Sequence, residues 1–314
     1  MPERGDVQAA AERLAGRVLE TPVFVRQSLS RRVGCEVHFK CEIFQRTGSF
    51  KYRGASNAVM QLEPAARKQG VVTHSSGNHG AALALAAREA GMRARIVVPR
   101  AATPLKRQAI LAYGAEIVDC GDTLAEREAV LAEVMEETGA VFVPPYDHAH
   151  VIAGQGTAAA ELLAAVPGLE EIWVPVGGGG LASGTLIAAA GSGVKVWGVE
   201  PELADDAYWS LQRGCLQPQR PPETIADGLR TALGELPFAV FQALDLKICT
   251  VPESAILAGQ RLLWERMKLV VEPSAAVPLA GLMAAVAADP EGYAGRRVGI
   301  ILSGGNAAFP FRAS

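Results

Sequence analysis

Cysteine is scarce in this chain of 314 residues: Cys35, Cys41, Cys120, Cys215 and Cys249 are all there is, an odd number with no C-x-x-C pair. That usage argues against a disulfide framework and against a zinc site, so free thiols in a reducing cytoplasm are expected. Long apolar runs are missing as well. None approaches the roughly 18 residues a membrane-spanning helix needs, and the opening MPERGDVQAA lacks the basic-then-apolar pattern of a secretory signal. Excess positive charge is absent too: 30 Lys and Arg stand against 33 Asp and Glu, a net charge of −3. No electrostatic footprint for nucleic acid or an acidic membrane remains. There is no G-K-[ST], which excludes a Walker-type nucleotide loop, and neither a repeat nor a low-complexity tract.

What is present is ordinary globular composition, 49% hydrophobic and 20% charged, enough for one large or two modest domains with buried cores. Short β-branched runs bounded by Gly or Pro (GVVTHSS, RARIVVP, AEIVDC, EIWVPVGGGG, VKVWGVE, RRVGIILSGGN) alternate with stretches of helical period such as NHGAALALAAREAG and TPLKRQAILAYG. Runs apolar on both faces suit parallel strands covered on two sides by helices. The alternation predicts an α/β protein with one or two open sheets. QPQRPPETIADG (Gln217–Gly228) reads as a loop inside a domain, because the αβ rhythm resumes after it.

Three loops follow strands, on the edge where open α/β sheets bind ligands. PVGGGGLASG comes after a predicted strand Ile172–Val176 and opens a small-residue helix. Consecutive glycines let backbone N–H groups approach an anion, and the helix N-terminus adds positive potential, which points to a phosphate. Gly177, Gly179 and Ala182 also fit G-x-G-x-x-A, with Glu200 about 20 residues on, so a nicotinamide-dependent (NAD) dehydrogenase is the competing class. THSSGNHG (Thr73–Gly80) offers hydroxyls, an amide and glycines as a nest for a carboxylate; alternatively Ser75 or Asn78 caps the following helix. LSGGNAAF (Leu302–Phe309) sets Ser303 at the end of the last strand. Further upstream, QRTGSFKYRGA places Lys51 on the first turn of a helix, after N-cap candidates Thr47 and Ser49 and the turn residue Gly48. The helix dipole disfavours a lysine there, so capping gives no reason for it.

Lysine, serine–asparagine loop, tetraglycine loop and terminal serine, in that order, resemble the serine racemase and threonine/serine dehydratase family. These are pyridoxal phosphate (PLP) enzymes of the tryptophan-synthase-β-like fold, PLP fold type II. The resemblance covers nearly the whole chain, including VIAGQGT (Val151–Thr157), VPVGGGGL and PPETIADG. It implies two open α/β domains with the cofactor between them: a large PLP-binding domain of residues 1–60 and 149–314, and a small one of residues 70–147 inserted in it. By the same likeness Lys51 is the Schiff-base lysine and the general base once released, with Phe50 beside the ring. Gly177, Gly178, Gly179, Gly180 and Leu181 hold the cofactor phosphate, Asn78 bonds the ring hydroxyl, and Ser303 faces the pyridine nitrogen. Ser75, Ser76, Asn78 and His79 bind the amino-acid substrate. A neutral serine at the ring nitrogen tempers the electron sink and favours early β-elimination.

Within the family three details matter. Ser76 matches the racemases, whose serine works the cofactor face opposite the lysine; a loop-stabilising hydroxyl is the plainer reading. VEPELADDAYWSLQRG resembles the racemase divalent-metal site, with the Glu200 and Asp206 carboxylates and the Ala204 carbonyl as hard oxygen ligands for Mg²⁺, Ca²⁺ or Mn²⁺. The rival there is Asp205 or Asp206 as a helix N-cap. Arg127 resembles a racemase arginine that reaches the substrate side chain, and suits a β-carboxylate such as that of 3-hydroxyaspartate; an exposed helix pair is the alternative. PPYDHAH (Pro144–His150) departs from the ATP-binding segment of the racemases and is closer to the dehydratases. His148 and His150 in it read as loop histidines for want of a third ligand. The resemblance leads to a cytoplasmic, homodimeric dehydratase of serine, threonine or 3-hydroxyaspartate, with serine racemase as the alternative and no isoleucine-binding regulatory domain after SGGN.

Overall fold

The computed structural model describes residues 1–307. Ala308 and Phe309, the end of the LSGGNAAF segment, lie outside the described residues. Among the described residues ten strands form two sheets. The larger has the order β1 (Val23–Val25), β2 (Glu36–Cys41), β10 (Arg297–Leu302), β7 (Glu171–Pro175), β8 (Lys195–Pro201) and β9 (Lys247–Val251). Only the β1–β2 pair is antiparallel. The smaller is fully parallel, in the order β5 (Glu116–Cys120), β4 (Ala94–Pro99), β3 (Val71–His74), β6 (Val141–Phe142). All strands of the smaller sheet come from one continuous stretch of chain.

Burial follows from the sequence pattern. β7 is buried along its whole length, and Trp173 on it stacks on Trp197 of β8 at 5.3 Å. The helix Pro273–Ala288 covers this face with small and aliphatic residues, among them Ala275, Leu279 and Leu282. On the other face Ile152, Leu162, Leu186 and Phe241 pack against Ile172 and Val174. A separate core under the smaller sheet joins Ile96 and Val98 to the alanine-rich helix Asn78–Glu89. Among the described residues no helix is long and apolar enough to cross a membrane.

Each sheet has a point where the strand order reverses. In the larger, the chain leaves β7 towards β8 and returns as β10 on the other side. In the smaller, it leaves β3 towards β4 and returns as β6. Crevices at such points, outside the carboxyl ends of the strands, are where open α/β sheets bind ligands. The loops at those four strand ends carry Gly177–Gly180, Ser303, Ser75–Gly80 and Pro145–Tyr146.

Candidate active site

Lys51 opens the helix Lys51–Met60, and the sequence expectation for its start needs correcting. The N-cap is Phe50, which makes no side-chain cap bond. Thr47 (φ 67°) and Gly48 (φ 74°) form a left-handed turn before it, and the buried Ser49 hydroxyl has no hydrogen-bond partner among the described residues. Ser49 instead bridges Gly304, and the Phe50 N–H donates to the Ser303 carbonyl at 3.0 Å. The lysine turn is therefore fixed to the end of β10, with the buried Ser303 beside it.

The Lys51 amine donates to the Pro145 carbonyl at 2.8 Å. It lies 5.2 Å from the Phe50 ring centre and 5.9 Å from that of Tyr146. Although the residue keeps some exposed surface, burial of the amine pushes its pKa down to about 8, and the charge of Glu272 pulls it part of the way back. Tyr146 connects this amine to the glycine loop. A Cβ on Gly178 would collide with the Tyr146 ring, one on Gly180 would stand 2.9 Å from Tyr146 Cβ, and one on Gly179 (φ 89°) 2.5 Å from Pro237. Only glycine fits, and the helix Gly180–Ala189 starts here, Leu181 included, with its first N–H groups lacking intrahelical acceptors. An anion cradle, a lysine of lowered pKa and an orphaned buried hydroxyl at Ser49 fit a phosphorylated aldehyde such as pyridoxal phosphate.

Across the crevice, the Ser75 hydroxyl accepts from the Gly77 N–H at 3.3 Å, and a Cβ on Gly80 would collide with the Ser75 carbonyl. Ser76 lies between them in a tight turn that leads into Asn78. The Asn78 amide donates to both oxygens of Glu272 at 3.0 Å. His79 is buried, with Nε2 2.9 Å from the Val143 carbonyl, and burial first and then the Lys51 charge push its pKa down to about 3. A neutral imidazole held this way leaves the His79 backbone N–H, on the first turn of the helix, as its donor towards the loop.

Arg127 donates from Nη2 to the Asp122 carbonyl at 2.6 Å, while its buried Nε has no partner among the described residues. Its charge is felt at His74, the residue joining β3 to the Ser75 loop. The guanidinium therefore stands near the carboxyl edge of the smaller sheet.

Glu200 ends up fully buried, accepting from the N–H groups of Ala207 (3.2 Å) and Tyr208 (2.7 Å). It caps the helix Asp206–Arg213, whose N-cap residue Asp205 makes no such bond. A glutamate committed there is not a ribose contact. Asp206 accepts from the Leu233 N–H at 2.8 Å. Burial raises both carboxyl pKa values, and the Asp206 charge raises Glu200 further. Ala204 is buried in the turn between them. No basic side chain pairs with either carboxylate among the described residues.

Sequence reasoning missed Glu272, Tyr146 and Asn306. Glu272 is buried, and burial pushes its pKa up to about 7, with the Asn78 hydrogen bond opposing. In sequence it precedes Pro273 as a helix N-cap, an ordinary place for a carboxylate.

The chain is 41% identical over 308 residues to a β-hydroxyaspartate dehydratase of Paracoccus denitrificans, covering 98% of this chain and 96% of that one. It superposes on the serine racemase of Dictyostelium discoideum with a TM-score of 0.92 at 41% identity, covering 98% and 99% of the two chains. A threonine deaminase from T.th. gives a TM-score of 0.91 at 41% identity, over 99% and 100%. The family described as "Pyridoxal-phosphate dependent enzyme" matches residues 14–304, a span that holds Lys51, the Ser75–Gly80 loop, the glycine cradle and Ser303. The chain belongs to the pyridoxal-phosphate dependent enzymes, with their fold type II architecture.

Proposed function

We propose that the protein is an ammonia-lyase that converts a β-hydroxy amino acid to a keto acid and ammonia, with 3-hydroxyaspartate its foremost substrate beside serine and threonine. One observation carries the reading: the Lys51 amine lies between Phe50 and Tyr146, and the Tyr146 ring covers the glycine cradle. Held by the N–H groups of Gly177–Gly180 and Leu181, pyridoxal phosphate would draw electrons from the α-carbon of its bound substrate. Phe50 and Tyr146 keep water from the amine, and Lys51, with a lowered pKa, takes the α-proton as general base. Asn78 and Ser303 orient the ring from its hydroxyl and nitrogen edges. Ser75, Ser76 and His79 hold the substrate α-carboxylate, and the Arg127 guanidinium, near the carboxyl edge of the smaller sheet, is the positive charge for a β-carboxylate. Loss of the α-proton and the β-hydroxyl, followed by hydrolysis, yields the keto acid and ammonium.

Racemisation is the second reading, favoured by the second hydroxyl in the loop, Ser76, and by the likeness to a serine racemase. We also propose the domain division stated from sequence, which agrees with the continuous run of small-sheet strands. A divalent cation (Mg²⁺, Ca²⁺ or Mn²⁺) at Glu200, Asp206 and the Ala204 carbonyl is supported by two buried carboxylates with no basic partner. A cytoplasmic homodimer completes the proposal. Free thiols support the compartment, and exposed Phe24, Val25 and Phe44 around β1 are apolar surface available to a second copy.

A substrate panel tests the reading: L- and D-serine, L-threonine and the 3-hydroxyaspartates, assayed for keto acid and for the opposite enantiomer. Borohydride trapping locates the cofactor on Lys51. Arg127→Ala should lower kcat/KM about 10–100-fold for 3-hydroxyaspartate, the value of a charged hydrogen bond, and leave serine turnover little changed. Ser76→Ala should abolish racemisation and retain L-substrate elimination. No keto acid from any substrate, or an active Lys51→Ala, would refute the lyase.

A further inference from the structure

One amide in the loop after β10 reaches both halves of the site. Asn306 Nδ2 donates to the Thr47 carbonyl and to Asn78 Oδ1, each at 2.8 Å. An amide nitrogen carries two hydrogens, so both are engaged. The left-handed turn at Thr47 and Gly48 is shaped to accept it: a Cβ on Gly48 would collide with the Asn306 side chain, and the Gly305 N–H donates to the Gly48 carbonyl at 2.9 Å.

The second engaged partner matters more. Asn78 receives a donor on Oδ1 from Asn306 and presents Nδ2 to Glu272, whose carboxylate, once ionised, only accepts. Rotating the Asn78 amide by half a turn would set Oδ1 against the Glu272 oxygens and Nδ2 against Asn306 Nδ2. Both contacts would be repulsive, so Asn306 and Glu272 together select one orientation. The two Glu272 oxygens belong to one carboxylate and lie close together as seen from Nδ2, so a single hydrogen is shared between them and the other remains for a further acceptor.

We infer that Asn306 is a positioning residue: it locks the Asn78 amide so that its remaining N–H faces the cofactor ring oxygen, and ties that amide to the turn preceding Lys51. The inference rests on the reading above that Asn78 contacts the cofactor. Asn306 is itself exposed at the mouth of the crevice, so replacing it leaves the packed core intact.

Asn306→Ala, the near-isosteric Asn306→Asp and Asn78→Ala separate the possibilities in the full-length enzyme. Affinity for added pyridoxal 5'-phosphate, circular dichroism in the cofactor band and Tm are the readouts. Both Asn306 variants should weaken cofactor binding, about tenfold for one lost hydrogen bond, and change the dichroism with Tm held within a degree. Asp should be the worse, because an acceptor there drives the Asn78 amide to its wrong orientation. In an Asn78→Ala background the same substitutions should add nothing. Unchanged dichroism and affinity in the Asn306 variants, beside a responsive Asn78→Ala, would overturn the inference alone. An Asn78→Ala enzyme indistinguishable from wild type would overturn the cofactor contact and the inference with it.

Discussion

The amine of Lys51 is largely withdrawn from water. Burial favours the neutral amine, the ionised Glu272 nearby favours the ammonium, and the balance is a pKa near 8 against about 10.4 for an ordinary lysine. In cofactor-free protein, an amine-directed reagent should therefore label Lys51 half-maximally near pH 8, well before the surface lysines. Glu272→Gln removes the charge that raises it, so the midpoint should move below 8. Glu272 titrates near 7, which means that acidification below that point removes the same support as the mutation does. Peptide mapping of the labelled protein reads the midpoint directly. Labelling of Lys51 only alongside the bulk lysines would show that its amine is solvated.

The helix carrying Lys51 is anchored by its third residue. Arg53 is fully buried and pairs with the equally buried Glu42, which follows β2, at 2.7 Å. It also reaches Glu161 and Thr157 of the helix Ala149–Ala165. Thr21 and Lys40 complete the arrangement. Removing one member of a buried pair leaves an uncompensated charge, so Arg53→Met should destabilise the protein by about 3–5 kcal/mol in urea unfolding. Arg53→Lys should recover only part, since one ammonium cannot serve two carboxylates as the guanidinium fork does. This network explains what the sequence concealed. β2 reads EVHFKC, with a lysine and a histidine that argue against a buried strand until Glu161 is placed beside Lys40 by the fold. The glycine cradle, the Ser75–Gly80 turn and Ser303 were legible because close backbone approach demands particular residue types in consecutive positions. Glu272, Tyr146 and Asn306 act through partners far off in sequence, and nothing in their immediate neighbours marks them.

Across the whole molecule the acidic turn at Glu200–Asp206 is coupled to the glycine loop. Asp206 accepts from the Leu233 N–H, and the Leu233 side chain packs where a Cβ on Gly179 would stand, 2.8 Å away. If a divalent ion holds these carboxylates, EDTA should lower Tm and cofactor affinity together, and Mg²⁺ or Ca²⁺ should restore both. Asp206→Ala should lose that response; a wild-type Tm indifferent to EDTA would leave Glu200 as a helix cap alone. The placement of β10 also has a consequence for how the protein is made. All four strands of the smaller sheet have been made once residue 142 has left the ribosome. The larger sheet must wait for β10, the last of the described strands, which fills the gap between β2 and β7. Until Arg297–Leu302 emerges, the two flanks of that gap lack their common partner, leaving the β2 and β7 edges unpaired beside neighbouring nascent chains. Ser303 and the contacts of the lysine turn arrive with the same strand, so the halves of the crevice are joined only when the sheet zips shut.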